Sequence, residues 1–490
     1  MANGTLFLLV GLLLGVSVFG SKMSGRFGFP ALLIFLGVGM LAGSDGLGGI
    51  SFDDPHLAQR VGSFSLVFIL FAGALDTRWK EVRPVLGPGV LLATLGVFLT
   101  ALLVGGFAFL FLGFAPLEGL LLGAIVSSTD AAAVFSVLRS RGVGLRGGLK
   151  PLLELESGSN DPMAAFLTAA LVSLLGAETL SWPRFALWAL GQMPLGALAG
   201  FLLGRAALVI LNRVRLDHEG LYPVLTSSLA LVTFGAAESL GGNGFLGVYV
   251  MGLVLGNGRF LHERSLTRFH DGLGWLMQIV MFLILGLLVF PSRLPAVAPQ
   301  GLLLTGFLLF VARPAAVFAC LVRGAWGFRE KVLLSWAGLR GAVPIVLATF
   351  PFTAGHPRSD LIFHLVFFVV LLSVFLQGST LMPLARRLGL DEPSEPRPRY
   401  PLELDRTGHS SDETREIEVV PGSRAEGRRV AELGLPREVL ILLVRRGESF
   451  LVPRGDTALR AGDALLVLAD PAVLDRVEEG LTEAEEDPPT

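Results

Sequence analysis

The sequence predicts an all-α protein that crosses a membrane about thirteen times, followed by a small α/β module. Three observations predict this. Apolar residues make up 52% of the 490 and charged residues 16%, where a soluble chain carries about 25% charge; the mean hydropathy of +0.67 agrees. The apolar residues fall into long runs separated by short loops. After Leu390 the composition turns abruptly to proline and charge, and then to the alternating pattern of a soluble module. The net charge of −2 gives no footprint for nucleic acid. The single cysteine, Cys320, lies in an apolar run, so it reads as a buried structural thiol and not as part of a disulfide framework.

The runs lie at 5–21, 27–43, 61–75, 85–113, 116–138, 151–176, 184–212, 220–239, 243–257, 271–290, 299–322, 331–352 and 360–384. Each can span roughly 30 Å of hydrocarbon as a helix, the third and ninth being short. Residues 1–4 lack the basic stretch of a cleaved signal, so the first run is expected to be retained. Alternate loops carry the basic residues: Lys22 and Arg26; Arg78, Lys80 and Arg83; Arg139, Arg141, Arg146 and Lys150; Arg213 and Arg215; Arg259, Arg264 and Arg268; Arg323, Arg329 and Lys331; Arg386 and Arg387. The intervening loops carry at most Arg60, Arg184, Arg293 and Arg358. This alternation puts the N-terminus outside and the C-terminus in the cytoplasm.

The fifth run holds Ser127-Ser128-Thr129-Asp130 in mid-span, and the twelfth holds Gly338-Leu339-Arg340-Gly341-Ala342-Val343-Pro344. Pro344 cannot donate to the helical ladder and Gly341 weakens it, so the twelfth helix is expected to break. Polar or interrupted segments seven runs apart suit two inverted six-helix repeats joined by the seventh helix, and such matched segments point to a transport site. Gly196, Gly200 and Gly204 in the seventh run allow close helix approach, or simply follow the abundance of glycine.

The densest polar stretch is Leu153-Glu154-Leu155-Glu156-Ser157-Gly158-Ser159-Asn160-Asp161-Pro162, inside the sixth run. Glu154, Ser157 and Asp161 share one helical face. A carboxylate at membrane depth costs roughly 2.5–3.5 kcal/mol on insertion scales, so it usually faces a cavity or a partner. The plain alternative is an acidic helix start at the membrane surface. The chemical reading is a site where one carboxylate holds either H+ or a monovalent cation, with Ser157 and Thr129 as further oxygen ligands; such competition makes exchange obligatory. Arg340, beside Gly341, needs exposed carbonyls or a counter-charge and is read as holding half-helix ends. Gly142-Val143-Gly144-Leu145-Arg146-Gly147 matches G-x-G-x-x-G but follows a membrane helix, so it reads as a flexible loop. His364 stands alone in the thirteenth run and reads as packing. No Walker A sequence, zinc-type spacing or potassium-channel filter appears.

Residues 391–412 read as a linker, 413–482 as an α/β domain and 483–490 as a disordered tail, after a membrane domain of 1–390. Strands are expected at Ile417–Val420, Val439–Val444, Phe450–Pro453 and Ala464–Leu468, with short helices at Arg428–Leu433 and Pro471–Leu481.

Thr129-Asp130, Glu156 to Pro162 and Gly338 to Pro344 resemble the signature segments of the monovalent cation/proton antiporter superfamily. Asn160-Asp161 resembles its electroneutral NhaP-type branch, and Ser128 to Phe135 with Leu153 to Pro162 resembles the bacterial potassium/proton antiporter subgroup. Residues 411–482 are similar to a TrkA-C (RCK C-terminal) regulatory domain, through Pro421-Gly422-Ser423, Leu433 to Pro436 and Arg460 to Asp463. The resemblance implies a homodimer in the bacterial cytoplasmic membrane, with a core that moves against a dimer domain. It implies that the fifth and twelfth helices unwind and cross beside the sixth. It implies that Asp161 binds the cation or the proton and that Ser157 and Thr129 add ligands. Asn160 and Glu156 then brace the site, while Asp130 and Arg340 compensate half-helix ends. It implies K+ or Na+ and H+ as transported ions, no cofactor, no enzymatic step, and a small-molecule or nucleotide regulator on the tail. Two departures stand out: Ala131 replaces a common proline, and Ala72 stands where some members have glutamate. A ligand-gated cation channel and a sodium-coupled organic anion symporter are the competing readings.

Overall fold

The computed structural model describes residues 3–27, 30–140, 143–176, 182–260, 262–393, 413–436, 438–447 and 449–482. The chain forms two compact units, Met1–Pro398 and Arg399–Thr490. The helices of the first are α1 Asn3–Phe27, α2 Ala31–Ala42, α3 Pro55–Asp76, α4 Trp79–Phe111, α5 Pro116–Ile125, α6 Ala131–Ser140, α7 Leu149–Gly176, α8 Trp182–Arg213, α9 Leu221–Ser239, α10 Gly244–Gly256, α11 Glu263–Leu287, α12 Pro291–Cys320, α13 Phe328–Trp336, α14 Ala342–Thr353 and α15 Ser359–Leu388.

Among the described residues, eight helices are long and apolar enough to cross a membrane: α1, α3, α4, α8, α9, α11, α12 and α15. Helices α2, α5, α10 and α14 are apolar but shorter. The charges of Glu154, Glu156 and Asp161 lie within the 28 residues of α7. Each expected run contains a helix, and the fifth and twelfth contain two. The third run, expected to be short, is a 22-residue helix, because Asp54 caps it and accepts from Leu57 N at 2.9 Å, with Pro55 in the first turn.

Helices α4 and α12 each contain one π-helical turn, at Leu92–Gly96 and Leu308–Ala312. In the sequence order these belong to the fourth and eleventh runs, again seven apart. Cys320, at the end of α12, packs beside this region and points its thiol at Leu91 O. The glycines of α8 are contact points. A Cβ on Gly204 would lie 3.0 Å from Val254, and Cβ atoms on Gly196 and Gly200 would collide with the backbone of Asn243 and Gly247. They set α8 flush against α10.

Two segments read as loop and linker form a small sheet. Strand β1 (Val143–Leu145) pairs antiparallel with β2 (Asp391–Pro393), and Arg146 N donates to Leu390 O at 3.0 Å. The glycine-rich loop is therefore tied to the end of α15. Composition gave its polarity, but the pairing partner lies far along the chain. The rest of the expected linker, 394–412, and the tail 483–490 lie outside the described residues.

The second unit is a four-stranded antiparallel sheet in the order β3 (Glu413–Glu418), β6 (Ala464–Ala469), β4 (Leu440–Arg446), β5 (Ser449–Leu451), followed by α16 (Pro471–Thr482). Ile417, Val444, Leu465, Val467 and Leu474 form its core. The first strand starts earlier than expected, and the short helix near Arg428 is a single 3-10 turn, Val430–Glu432.

Candidate functional site

Both broken helices interrupt themselves at the same place. Helix α5 ends at Ile125 and α6 starts at Ala131; α13 ends at Trp336 and α14 starts at Ala342. The two interruptions touch: Asp130 N donates to Leu339 O at 2.7 Å. Gly341 lies against the Asp130 carboxylate, and a Cβ there would fall 2.8 Å from Asp130 Cγ, so only glycine fits.

A helix end leaves backbone groups without partners, and inside a membrane each must find one. Several of the end groups here find partners elsewhere in the fold. Arg340, fully buried, donates from Nη1 to Ser127 O and Ser128 O, both at 2.7 Å, at the C-terminal side of α5. Asp130 Oδ1 accepts from Ala133 N at 3.1 Å, and Ser157 Oγ accepts from Ala131 N at 2.9 Å, at the start of α6. These contacts break the fifth helix without a proline at position 131. On the other crossing helix, Gln377 Nε2 donates to Trp336 O at 2.8 Å, and Ser373 Oγ accepts from Arg340 N at 3.2 Å.

Helix α7 passes beside this crossing. Ser157 Oγ donates to Thr129 O at 3.0 Å, and Asn160 Nδ2 donates to Thr129 Oγ1 at 2.6 Å. Ser128 Oγ donates to Asp161 Oδ1 in a short hydrogen bond. Asp161 is 9% exposed and Asn160 and Glu156 are at most 1% exposed. The structure thus gathers Thr129, Asp130, Ser157, Asn160, Asp161 and Arg340 around one point. Glu156 lies on the other side of the helix, in an ion pair with Arg313 at 2.6 Å, both side chains nearly inaccessible. Glu154 is turned away, 3.8 Å from Lys150.

Sequence reasoning singled out neither Ser128 as the hydroxyl on Asp161 nor Arg313 as the partner of Glu156. Arg313 carried a usable signal: an arginine fourteen residues into an apolar run obeys the same rule that drew attention to Arg340. Ser373 and Gln377 gave no such signal, because isolated hydroxyls and amides in a helix have many plain roles.

The sodium/hydrogen exchanger transmembrane profile matches residues 6–387, and the TrkA-C domain profile matches residues 414–481. The chain belongs to the sodium/hydrogen exchanger family. It is 40% identical over 467 residues to "K(+)/H(+) antiporter NhaP" of Alkalimonas amylolytica, which covers 94% of this chain and 80% of the relative. It is 42% identical over 497 residues to "K(+)/H(+) antiporter NhaP2" of Shewanella oneidensis, with 98% and 84% covered. The structure of the sodium proton antiporter MjNhaP1 from Methanocaldococcus jannaschii at pH 8 superposes with a TM-score of 0.66 at 25% identity, covering 77% of this chain and all of that one. The exchanger is therefore a multi-pass membrane cation/proton antiporter with a TrkA-C regulatory domain, and the channel and organic anion symporter readings drop out.

In the TrkA-C unit of the exchanger, Arg446 grips Asp463 with two hydrogen bonds, Nε to Oδ1 at 2.8 Å and Nη2 to Oδ2 at 2.7 Å, and Arg460 N adds a third at 2.9 Å. Burial pushes the Asp463 carboxyl up, and these donors outweigh it, leaving the group below its ordinary 3.8. Asp463 closes a turn in which Gly462 has φ 81, so the Arg460-Ala461-Gly462-Asp463 motif has a structural task.

Proposed function

We propose that the exchanger trades K+ for H+ one for one, with Asp161 as the carboxylate that holds either ion. The observation that carries this is the position of Asp161, nearly buried beside two crossing broken helices and next to hydroxyls and carbonyls that no lipid-facing helix would present. A hard monovalent cation takes oxygen ligands, and Asp161, Ser157 and Thr129 offer them, with Ser128 as a fourth. Asn160 holds Thr129 in place, and Glu156 braces α7 through Arg313. Asp130 and Arg340 neutralise the half-helix ends. No covalent or redox step is needed, and no cofactor.

K+ as the cation rests on the names of the two bacterial relatives, Na+ on that of the structural neighbour, and the oxygen ligands serve both. The same reading includes the domain organisation 1–390, 391–412, 413–482 and 483–490. It includes thirteen crossings, an outside N-terminus, a bacterial cytoplasmic membrane, a homodimer and an elevator-type movement of the core. A small molecule or nucleotide would act on the TrkA-C unit. The matched breaks and matched π-helical turns of the two halves support the repeat. The test is dequenching of a pH-sensitive dye in proteoliposomes on addition of K+, Na+, Li+ or Rb+. K+-dependent dequenching that disappears in Asp161→Asn supports the reading, and K+-dependent dequenching by folded Asp161→Asn protein refutes the assignment of Asp161.

A further inference from the structure

Pro162 sits inside α7. It has no N–H, so the carbonyl of Gly158, four residues earlier, loses its helical partner. Two side chains from one neighbouring helix meet α7 at these two residues. Asn243 caps α10 with Oδ1, accepting from Leu246 N at 2.9 Å, and its Nδ2 donates to Pro162 O at 3.0 Å. Tyr249 lays its ring on Gly158, where a Cβ would fall 2.7 Å from both Cζ and the hydroxyl oxygen. Both side chains are 4% exposed. The Tyr249 hydroxyl, beside Ser159, makes no hydrogen bond of normal geometry. The ring edge and the hydroxyl together cover Gly158, the ring coming nearest. Helix α10 is itself anchored: Asn243 N donates to Gln192 O at 2.9 Å, and the glycines of α8 clasp its start.

We propose that Asn243 and Tyr249 are positioning residues for exchange, a two-point latch that holds α7 at its proline break in one of the two arrangements an antiporter must visit. This rests on the assignment of Asp161 above. To open Asp161 first to one side and then to the other, α7 has to change its relation to some neighbour. The α10 contact exists in one register only. A shift of one turn, about 5.4 Å, brings Glu154 or Pro162 under the ring in place of Gly158. The only position that accepts the ring is then lost, and the Asn243 amide leaves the Pro162 carbonyl. The latch is therefore specific to one state, and weakening it shifts the balance between states without touching the ligands of Asp161.

The test uses the full chain in proteoliposomes of resolved orientation, with the K+ half-saturation measured from each face. Asn243→Ser keeps a capping oxygen and removes the amide that reaches Pro162 O, the serine hydroxyl being too short to span that distance while it caps α10. Tyr249→Ala removes the ring, and Tyr249→Phe keeps it. Losing one such contact moves a two-state balance by about three- to tenfold. Asn243→Ser and Tyr249→Ala are expected to move the two half-saturation constants in opposite directions by that factor, with Tyr249→Phe like the parent. A fall in rate with both constants unchanged, or a Phe variant as affected as the Ala variant, overturns the latch. Asp161→Asn run in parallel separates the two claims. If it still exchanges, the site assignment fails; if it is silent while the constants of the latch variants stay in place, the latch alone fails. Should Tyr249→Ala prove unstable, Asn243→Ser decides by the same readout.

Discussion

The ion pair of Glu156 and Arg313 is a contact whose removal should be felt throughout the membrane unit. Its atoms lie 2.6 Å apart, with side-chain exposures of 1% and 3%, so solvent screening is absent. Taking away one partner of a buried pair typically costs about 3–5 kcal/mol, because the remaining charge is stranded. At about 1.4 kcal/mol per tenfold, that is a hundredfold or greater loss in the ratio of folded to unfolded protein. Glu156→Gln strands Arg313, and Arg313→Met strands Glu156. The double variant strands neither and should recover most of the loss, because Met and Gln approximate the volumes removed. The assay is thermal unfolding in one detergent, read by intrinsic fluorescence and by the monodisperse fraction after heating, for the parent, both single variants and the double. The expected order is parent, then double, then the two singles well below. A double variant as unstable as the sum of the singles would show that each residue acts through packing and not through the other, and would refute the argument.

Asp161→Asn should abolish exchange while leaving insertion and unfolding temperature near those of the parent, as dye dequenching and thermal scans would check; parent-like exchange would refute the carboxylate's role. Truncation after Pro393 keeps β2 and should leave exchange with altered regulation, whereas truncation after Leu390 also removes the partner of β1 and should reduce the rate by loosening the loop between α6 and α7. Equal rates for the two truncations would show that the β1–β2 pair is idle. In the TrkA-C unit the depressed Asp463 carboxyl contributes stability that is complete well above pH 3.8 and is lost as pH falls through 3.8 toward the lower folded value. Asp463→Asn should therefore remove about 2 kcal/mol at neutral pH and flatten the acid limb of hydrogen-exchange protection over 413–482. Exchange by the parent should not respond to a clamped liposome potential; a steep response would mean that a second carboxylate carries protons.

What the sequence disclosed and what it withheld divides by range. The break of the twelfth helix was written locally, in Gly341 and Pro344. The break of the fifth was not, because Ala131 stands where a proline would have announced it. That break is made by Arg340, Leu339 and Ser157, which come from two other helices. Thr129, Asp130, Ser157, Asn160 and Asp161 were legible because polar groups in an apolar run are conspicuous. Their partners followed less well. Glu156 was grouped with the others by chain proximity, yet one residue of helix rotates a side chain by about 100°, enough to turn it toward Arg313. Glu154 shares a helical face with Asp161 on paper, but a distance of seven residues, about 10 Å along the axis, puts it beside Lys150 instead. The β1–β2 pair joins segments some 250 residues apart, which no local pattern reports.

The charges at the crossing also bear on why the cycle should carry no net charge. Glu156 and Arg313 form an ion pair that balances itself, and Arg340 and Asp130 sit at opposite half-helix ends, so on the proposed assignment Asp161 is the group whose charge changes in the cycle. With H+ or the proposed cation bound, Asp161 would be neutral; with neither, the helix would carry an uncompensated buried anion. Moving such a charge through a low-dielectric barrier costs several kcal/mol, so the unloaded form is held back while both loaded forms can move. On the proposed assignment, coupling follows from charge balance: the exchanger returns only after the carboxylate has bound an ion again. The same balance explains why Asn160 matters for stoichiometry. A second aspartate there would leave the K+-loaded form negative and the doubly protonated form neutral, so the two directions of movement would differ by one charge. Membrane potential would then act on each turnover by about 2.3 kcal/mol per 100 mV. With Asn160, whose amide is occupied by Thr129 Oγ1, the proposed one-for-one exchange lacks that term, and Asn160→Asp is the substitution that should bring it in.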